Sequence, residues 1–392
     1  MTNSEEYPTS KKRNGQLASE GKKGMIKKVL LYVLMLIGAV GVILFLFINI
    51  HPGFGSNPSM EQEEVYKTFD NYRDGEFFYH PSKTKTVSDE SSSTLPESDA
   101  MDKEKRPAGQ LPVSEIDWNK INGYEDSLTW LGHSAFILSL DDKKILVDPM
   151  LGNAASPVSF IGPKRYSEDL LDIIEEMPPI DAVFITHDHY DHLDYQSIKK
   201  LKSKVAHFFV PYGVSSHLTH WGVAKEKITE LNWWDETEFQ GLTIALTPAN
   251  HFSGRGILNR NSTLWGGWVI LGEQTRFYTS GDGGYGAHFK EIGDKYGPFD
   301  IALLEGGQYD KRWPDSHMLP EESVQASIDV QGKQMVLTHW GAFTLARHGW
   351  TEPIERASKA AKESEVNLIA PRIGETVQLD GNLSVPASSW WE

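Results

Sequence analysis

The sequence predicts a mixed α/β domain of two β-sheets sandwiched between helices, preceded by one N-terminal transmembrane helix. Three observations lead there. A stretch of twenty residues, Val29 to Ile48, carries no charge. From about Asp117 onward, short strand-like runs are mixed with helical patterns in an order that suits two sheets covered by helices. One of those runs, Ala182 to Thr186, delivers the chain into a loop holding three histidines and two aspartates, His187, Asp188, His189, Asp191 and His192.

At 1.5 Å per residue, twenty helical residues span about 30 Å, the thickness of the hydrocarbon layer. A buried core helix is usually shorter and amphipathic. A cleaved signal peptide is the stronger rival, but its apolar region is typically about 7 to 15 residues long. No A-x-A-like cleavage site follows in Asn49-Ile50-His51-Pro52-Gly53. An uncleaved anchor is therefore expected. Lys22, Lys23, Lys27 and Lys28 precede the span, and no Lys or Arg follows until Lys67. The positive-inside rule then puts the N-terminus in the cytoplasm and everything from His51 onward outside the cell membrane, in a single-pass arrangement.

The expected organisation is a basic cytoplasmic tail over 1–28, the anchor over 29–48, an extracytoplasmic segment with a Ser/Pro/charged linker over 49–116, and the catalytic domain over 117–392. Residues 1–24 have no hydrophobic period and read as disordered. Ser82 to Pro112 has almost no large apolar residues and reads as a solvated linker. Between them, Tyr66, Phe69, Tyr72, Phe77, Phe78 and Tyr79 supply enough aromatic surface to predict that the stretch packs on another surface, which the sequence does not identify.

Within the domain, Ser127 to Leu131, Ala135 to Leu140 and Lys144 to Val147 predict a meander of strands broken by Gly-His and Asp-Asp turns. Ser167 is placed to cap a helix through Glu175, with Glu168 and Asp169 in its first turn and Pro178-Pro179 stopping it. Ala182 to Thr186 predicts a buried strand. Later strands are predicted at Leu242 to Thr247, Trp265 to Leu271, Arg276 to Thr279, Ile301 to Leu304 and Gln334 to Thr338, and helices at Pro320 to Val330 and Pro353 to Lys362.

Composition narrows the chemistry. The chain has no cysteine, so disulfides, thiolate ligands and a Cys nucleophile are excluded, and any metal must be held by His, Asp or Glu. Residues 1–28 carry a balance of +4, which leaves −20 for the rest. A surface that acidic repels phosphate backbones, so no nucleic acid is expected as a partner. Hydrophobic content of 39% with 12 Trp is ample for an enzyme-sized core.

A loop leaving a strand end can aim alternate side chains, His187 and His189, at one metal while Asp191 and His192 turn towards a second. Imidazole nitrogens and carboxylate oxygens are what zinc accepts when no thiolate is available. The His-x-His-x-Asp-His pattern resembles the signature of the metallo-β-lactamase superfamily, which implies an αββα sandwich. The resemblance implies His251 as the third histidine of the first metal, Asp282 as the bridge between two metals and His339 as the last ligand of the second. Asp148 matches the family's unliganded aspartate, expected to align a metal histidine.

A narrower resemblance runs from about residue 125 to 375. Trp130-Leu131-Gly132-His133, Val147-Asp148-Pro149, Ala155-Ser156-Pro157, Gly162-Pro163-Lys164-Arg165, Trp233-Trp234-Asp235-Glu236 and Thr338-His339-Trp340-Gly341 are similar to N-acylphosphatidylethanolamine-hydrolysing phospholipases D and their bacterial relatives. It implies two divalent ions, zinc by default, a phospholipid substrate at a membrane, and His317 as a catalytic residue beside Asp282. A homodimer is left open. The lead-in from Arg312-Trp313 to His317 is about two residues shorter than that family's, which implies a differently shaped mouth.

Two divalent ions about 3.5 to 4 Å apart acidify a shared water, so hydroxide is available near neutral pH to attack a phosphodiester. His317 or a second water would protonate the leaving alkoxide. The same hydroxide would serve a lactonase, a β-lactamase-like amidase or a sugar-phosphate lactonase. A lipid site is distinguished by an apolar groove from residues such as Phe160, Phe252 and Trp313. A non-enzymatic envelope binding protein is the third reading, disfavoured by a complete set of seven ligands.

Overall fold

The uncharged run lies inside a single helix, Ser10–Ile50, in the computed structural model, which describes residues 10–79, 104–256, 258–379 and 389–392. Its segment Met25–Ile50, of mean hydropathy 2.9, is long and apolar enough to cross a membrane. The helix starts at Ser10, so the stretch expected to be disordered through residue 24 is helical over 10–24. Lys, Arg, Gln, Leu, Ala and Glu dominate that stretch. They are good helix formers, and extending a helix already nucleated by the apolar run avoids the cost of a new nucleus.

The chain divides into two compact units, Met1–His51 and Pro52–Glu392. The second begins with a 3-10 turn, Pro52–Phe54, and then a short helix, Met60–Tyr66, closed at its start by a capping box between Ser59 and Gln62. A hairpin of β1 (Tyr72–Arg73) and β2 (Glu76–Phe77) comes next. The main body then supplies β3 (Ser127–Trp130), β4 (Phe136–Leu140), β5 (Lys143–Val147), β6 (Ile180–Phe184), β7 (Val205–Pro211) and β8 (Ile228–Leu231). After these come β9 (Glu236–Phe239), β10 (Leu242–Thr247), β11 (Gly267–Leu271), β12 (Arg276–Thr279), β13 (Ile301–Glu305), β14 (Met335–Thr338), β15 (Leu368–Ile369) and β16 (Thr376–Gln378).

Among the described residues these form two seven-stranded sheets, ordered β16-β3-β4-β5-β6-β7-β8 and β15-β14-β13-β12-β11-β10-β9. In the first, β5 through β8 run parallel; in the second, β12 through β15 do. Side chains alternate across a strand, so β6 serves two cores. Ala182 and Phe184 face the central core with Phe136, Ile244, Trp268 and Leu303, while Val183 and Ile185 join Ile198, Leu201 and Leu218 under the outer helices. Those helices are Tyr195–Leu201, capped by Asp194, and Ser215–His220.

Elements set by strong patterns fall where the sequence puts them. Strands β10 and β12 have the predicted limits; the helix Pro320–Asp329 ends one residue early, and Glu352–Glu363 is one residue longer than expected at each end. The helix expected over Ser167 to Glu175 is reduced to Ile173–Glu176. Its backbone is committed elsewhere: the N–H of Tyr166 donates to Ala342 O at 2.8 Å and that of Leu170 to Leu151 O at 2.8 Å. The Ser167 hydroxyl bonds to Glu168 O rather than capping a helix.

The aromatic stretch before the linker packs on the domain itself. Tyr66, Tyr72 and Phe77 are buried in the central core, and the Tyr66 and Tyr212 rings lie 5.6 Å apart. Residues 80–103 of the expected linker lie outside the described residues. The chain from Glu104 to Leu111 is laid along the body, with the N–H of Trp350 donating to Glu104 O at 3.1 Å and that of Leu111 to Tyr166 O at 3.0 Å.

Candidate metal centre

Chemistry-bearing residues gather where strands end. Asp148 follows β5, the His187 to His192 loop follows β6, His251 follows β10, Asp282 follows β12, Glu305 closes β13 and His339 follows β14. Strands β5 and β6 are parallel, as are β12, β13 and β14, and two antiparallel steps give β10 the same sense as β12. Ligand sites form outside carboxyl ends of strands because backbone there has left the ladder. Gly281 makes the close approach of Asp282 feasible. At φ 61°, a Cβ on it would lie 2.7 Å from Gly266 O and 3.0 Å from Thr186 Cβ.

The donor atoms fall into two groups that share one carboxylate oxygen. His187 Nε2 lies 2.9 Å from His189 Nδ1, which is 3.3 Å from His251 Nε2. Asp191 Oδ2 lies 3.5 Å from His192 Nε2 and 3.1 Å from His339 Nε2. Asp282 Oδ2 stands between the groups, 3.8 Å from His187, 3.9 Å from His251, 3.1 Å from His192 and 3.0 Å from His339.

Partners behind the rings leave these nitrogens bare. Nδ1–H of His192 donates to Asp148 Oδ2 at 2.7 Å, which aims Nε2 into the cluster as the nitrogen left to ligate when the ring is neutral. Asp148 is itself held by the Thr186 N–H at 2.8 Å and the Thr186 hydroxyl at 2.6 Å. Nδ1–H of His251 donates to Ser316 O at 3.0 Å. His192 Nε2 and Asp282 Oδ1 are buried and, among the described residues, have no hydrogen-bond partner. Acceptors facing acceptors in a buried site are costly unless a cation satisfies them.

Electrostatics agree. Burial, with His192 and His189 alongside, holds His187 well below the usual imidazole range, and burial does the same for His251 against the pull of Asp282. These rings are neutral, the form that ligates. In the second group burial is outweighed. Asp282, Asp191 and Asp148 hold His192 well above its usual range, and Asp282 and Asp191 raise His339 to about 10. There the rings act as counter-charges to buried carboxylates, a task a divalent cation performs while leaving imidazole neutral. The donor set fits divalent metal.

His317 comes to the same place, sharing a candidate donor group with His251 and Asp282. Its Nδ1 is 3.3 Å from Oε1 of Glu305, a fully buried carboxylate that also accepts the Met318 N–H at 2.8 Å. Phe252 lies against His189 and His251, its ring 4.7 Å from each. Phe160 is 75% exposed, and Trp313 is half-buried with its indole N–H on Gln308 O.

Two participants escaped sequence reasoning. His133 Nε2 lies 2.8 Å from Asp191 Oδ2, delivered by a turn in which His133 has φ 57°. Its signals were a histidine after glycine in a strand turn and its place in the Trp130-Leu131-Gly132-His133 motif, neither of which assigned it a role. Glu305 sits at the end of an apolar strand, where a lone carboxylate is itself conspicuous, facing His317 on one side and His339 Nδ1 at 4.0 Å on the other.

With this geometry in view, comparison with known proteins places the chain. The model of a β-lactamase superfamily domain matches residues 143–340. The chain belongs to the β-lactamase superfamily. Within it, an uncharacterized protein of Mycobacterium tuberculosis is 38% identical over 327 residues, covering 82% of this chain and 87% of that one. An N-acyl-phosphatidylethanolamine-hydrolyzing phospholipase D of Caenorhabditis elegans is 37% identical over 249 residues, 60% of this chain and 69% of that protein. Among solved structures, Igni18, a metallo hydrolase of the archaeon Ignicoccus hospitalis, superposes with a TM-score of 0.51 at 27% identity, covering 64% of this chain and 97% of its own. The fold is the metallo-β-lactamase fold, and this superfamily member is a metal-dependent hydrolase.

Proposed function

We propose that the chain is a membrane-anchored phosphodiesterase with two divalent ions, cleaving N-acylphosphatidylethanolamine by phospholipase D chemistry to phosphatidic acid and an N-acylethanolamine. The position of Asp282 carries the two-ion part: one carboxylate oxygen lies within 3.0 to 3.9 Å of ring nitrogens in both donor groups. His187, His189 and His251 would hold one ion and Asp191, His192 and His339 the other, with Asp282 common to both. Nitrogen and oxygen donors without thiolate suit zinc. A bound pair of such ions supplies Lewis acidity toward a phosphoryl oxygen and acidifies water near neutral pH.

The remaining work falls to this chain's own groups. His317, backed by Glu305, holds a proton for the departing alkoxide. Phe252 offers apolar surface beside the donors, suited to acyl chains, while exposed Phe160 offers it to an interface. The segment Met25–Ile50 tethers the enzyme to the bilayer that contains such lipids, with the catalytic unit outside the cell. The lipid substrate is supported by the sequence resemblance and by the nematode relative.

The test is direct. Full-length protein loaded with zinc, in detergent micelles containing N-acylphosphatidylethanolamine, should release N-acylethanolamine and phosphatidic acid together. Turnover of lactones with none of that lipid would replace the lipase assignment by a lactonase one.

A further inference from the structure

Asp188 stands between two candidate ligands, His187 and His189, yet belongs to neither donor group. Its carboxylate is engaged on the far side. Oδ1 accepts the Gly254 N–H at 2.7 Å, and Oδ2 accepts the Thr263 hydroxyl at 2.9 Å and faces Nε2 of buried His217 at 3.2 Å. The other ring nitrogen of His217, Nδ1, accepts the backbone N–H of Ser56 at 3.0 Å. A backbone N–H can only donate, so Nδ1 is the acceptor and the ring proton sits on Nε2, directed at Asp188.

A second chain of contacts runs through Arg255, which is 3% exposed. Its Nη1 donates to Asp188 O and to Leu193 O, both at 2.7 Å, so it grips the metal loop at two points. Its Nη2 donates to Gly53 O at 2.8 Å. Trp221 Nε1 donates to Pro52 O at 2.7 Å, and the guanidinium lies 5.2 Å over the Trp221 ring. Gly55 completes the fit: at φ 74°, a Cβ on it would be 2.1 Å from His217 Nδ1.

We propose that Pro52–Ser56 is a positioning strap for the metal loop, acting through the relay Ser56–His217–Asp188 and through the Gly53–Arg255 bond. His217 and Arg255 are then positioning residues, and the segment that leaves the apolar helix holds the metal loop in place rather than serving as a passive tether. A network of hydrogen bonds behind ligands typically governs metal affinity by about 10- to 100-fold. The inference rests on the two-ion assignment above.

The experiment uses the full chain in detergent, with Gly55→Ala to wedge the strap off His217 and Trp221→Phe to remove the bond to Pro52 while keeping an aromatic ring beside Arg255. Zinc affinity is measured by chelator competition, kcat and KM on the hydrolysed substrate, and hydrogen exchange across residues 186–193 on the metal-stripped protein. Gly55→Ala should weaken zinc binding about tenfold or more, speed exchange in the loop and lower kcat with KM nearly unchanged. Trp221→Phe should move all three in the same direction by less, with thermal stability close to the parent. Parent-like zinc affinity and exchange in both folded variants overturn the strap. If Gly55→Ala does not fold, parent-like values in Trp221→Phe alone overturn it. A parent that binds no zinc sinks the two-ion assignment instead, and loop exchange in the variants still decides on the strap.

Discussion

Asp148 Oδ2 lies 2.7 Å from Nδ1 of His192, and the same carboxylate takes both the backbone N–H and the hydroxyl of Thr186. One buried carboxylate thus fixes a ring, its tautomer and the strand end from which the metal loop departs. Asp148→Asn keeps the volume but turns an acceptor into a mixed amide, so His192 loses the partner that aims Nε2. Zinc affinity at the second position should fall about 10- to 100-fold. Titration against a chromophoric chelator checks it; parent affinity at both positions would remove Asp148 from this role.

Asp282 touches both donor groups, so its loss should not behave like loss of a terminal ligand. Asp282→Asn is expected to abolish activity together with at least one metal equivalent, measured by elemental analysis after gel filtration. A variant that keeps two equivalents and parent activity would contradict a bridging role.

The uneven legibility of the sequence has physical causes. The His187 to His192 loop was readable because ligation needs many donors close in space, and a strand end can supply four from six residues. His251, Asp282 and His339 were found only because a family pattern ordered them; each alone looks like any strand-end residue. His217 and Arg255 act through groups distant in sequence, which no local pattern records. Strand β7 was missed although Val205–Pro211 holds four buried residues in a row, because His207 interrupts the apolar run and Pro211 argues against a strand. The Ser167 helix failed in the opposite way. Its caps and pattern were sound, but tertiary hydrogen bonds to Leu151 and Ala342 outcompeted local propensity.

His317 lies beside Glu305 and shares a donor group with His251 and Asp282 without being needed to complete either metal set. If it serves as proton donor, His317→Gln should lower kcat by about 10²- to 10⁴-fold while KM and metal content stay near parent values. Metal loss in this variant would instead assign it to ligation.

The two sheets are also joined directly beneath the site. Trp268 on β11 is fully buried, and its Nε1–H donates to Ile185 O at 2.9 Å, two residues before His187. Trp268→Ala would empty the central core and orphan that carbonyl, costing about 3 to 5 kcal/mol. Trp268→Phe retains most of the ring and should cost less. Denaturant midpoints at constant m-value measure both, and equal stability of the alanine variant and the parent would contradict the packing described.

Metal removal should destabilise the folded chain beyond silencing it. Without a cation, the bare nitrogens of His187, His189 and His251 face one another at 2.9 to 3.3 Å, and the Asp191 and Asp282 carboxylates depend on crowded imidazolium partners. An ion bound only by the folded state adds about 2.7 kcal/mol at a hundredfold excess over its dissociation constant. For a chain longer than about 250 residues, each kcal/mol shifts Tm by roughly 2 to 4 °C or somewhat less. A chelator should therefore lower Tm by several degrees, and added zinc should restore it. A chelator-insensitive Tm, in protein shown by elemental analysis to lose its metal, would mean that the donor cluster is stable empty and that ligation contributes nothing to the fold.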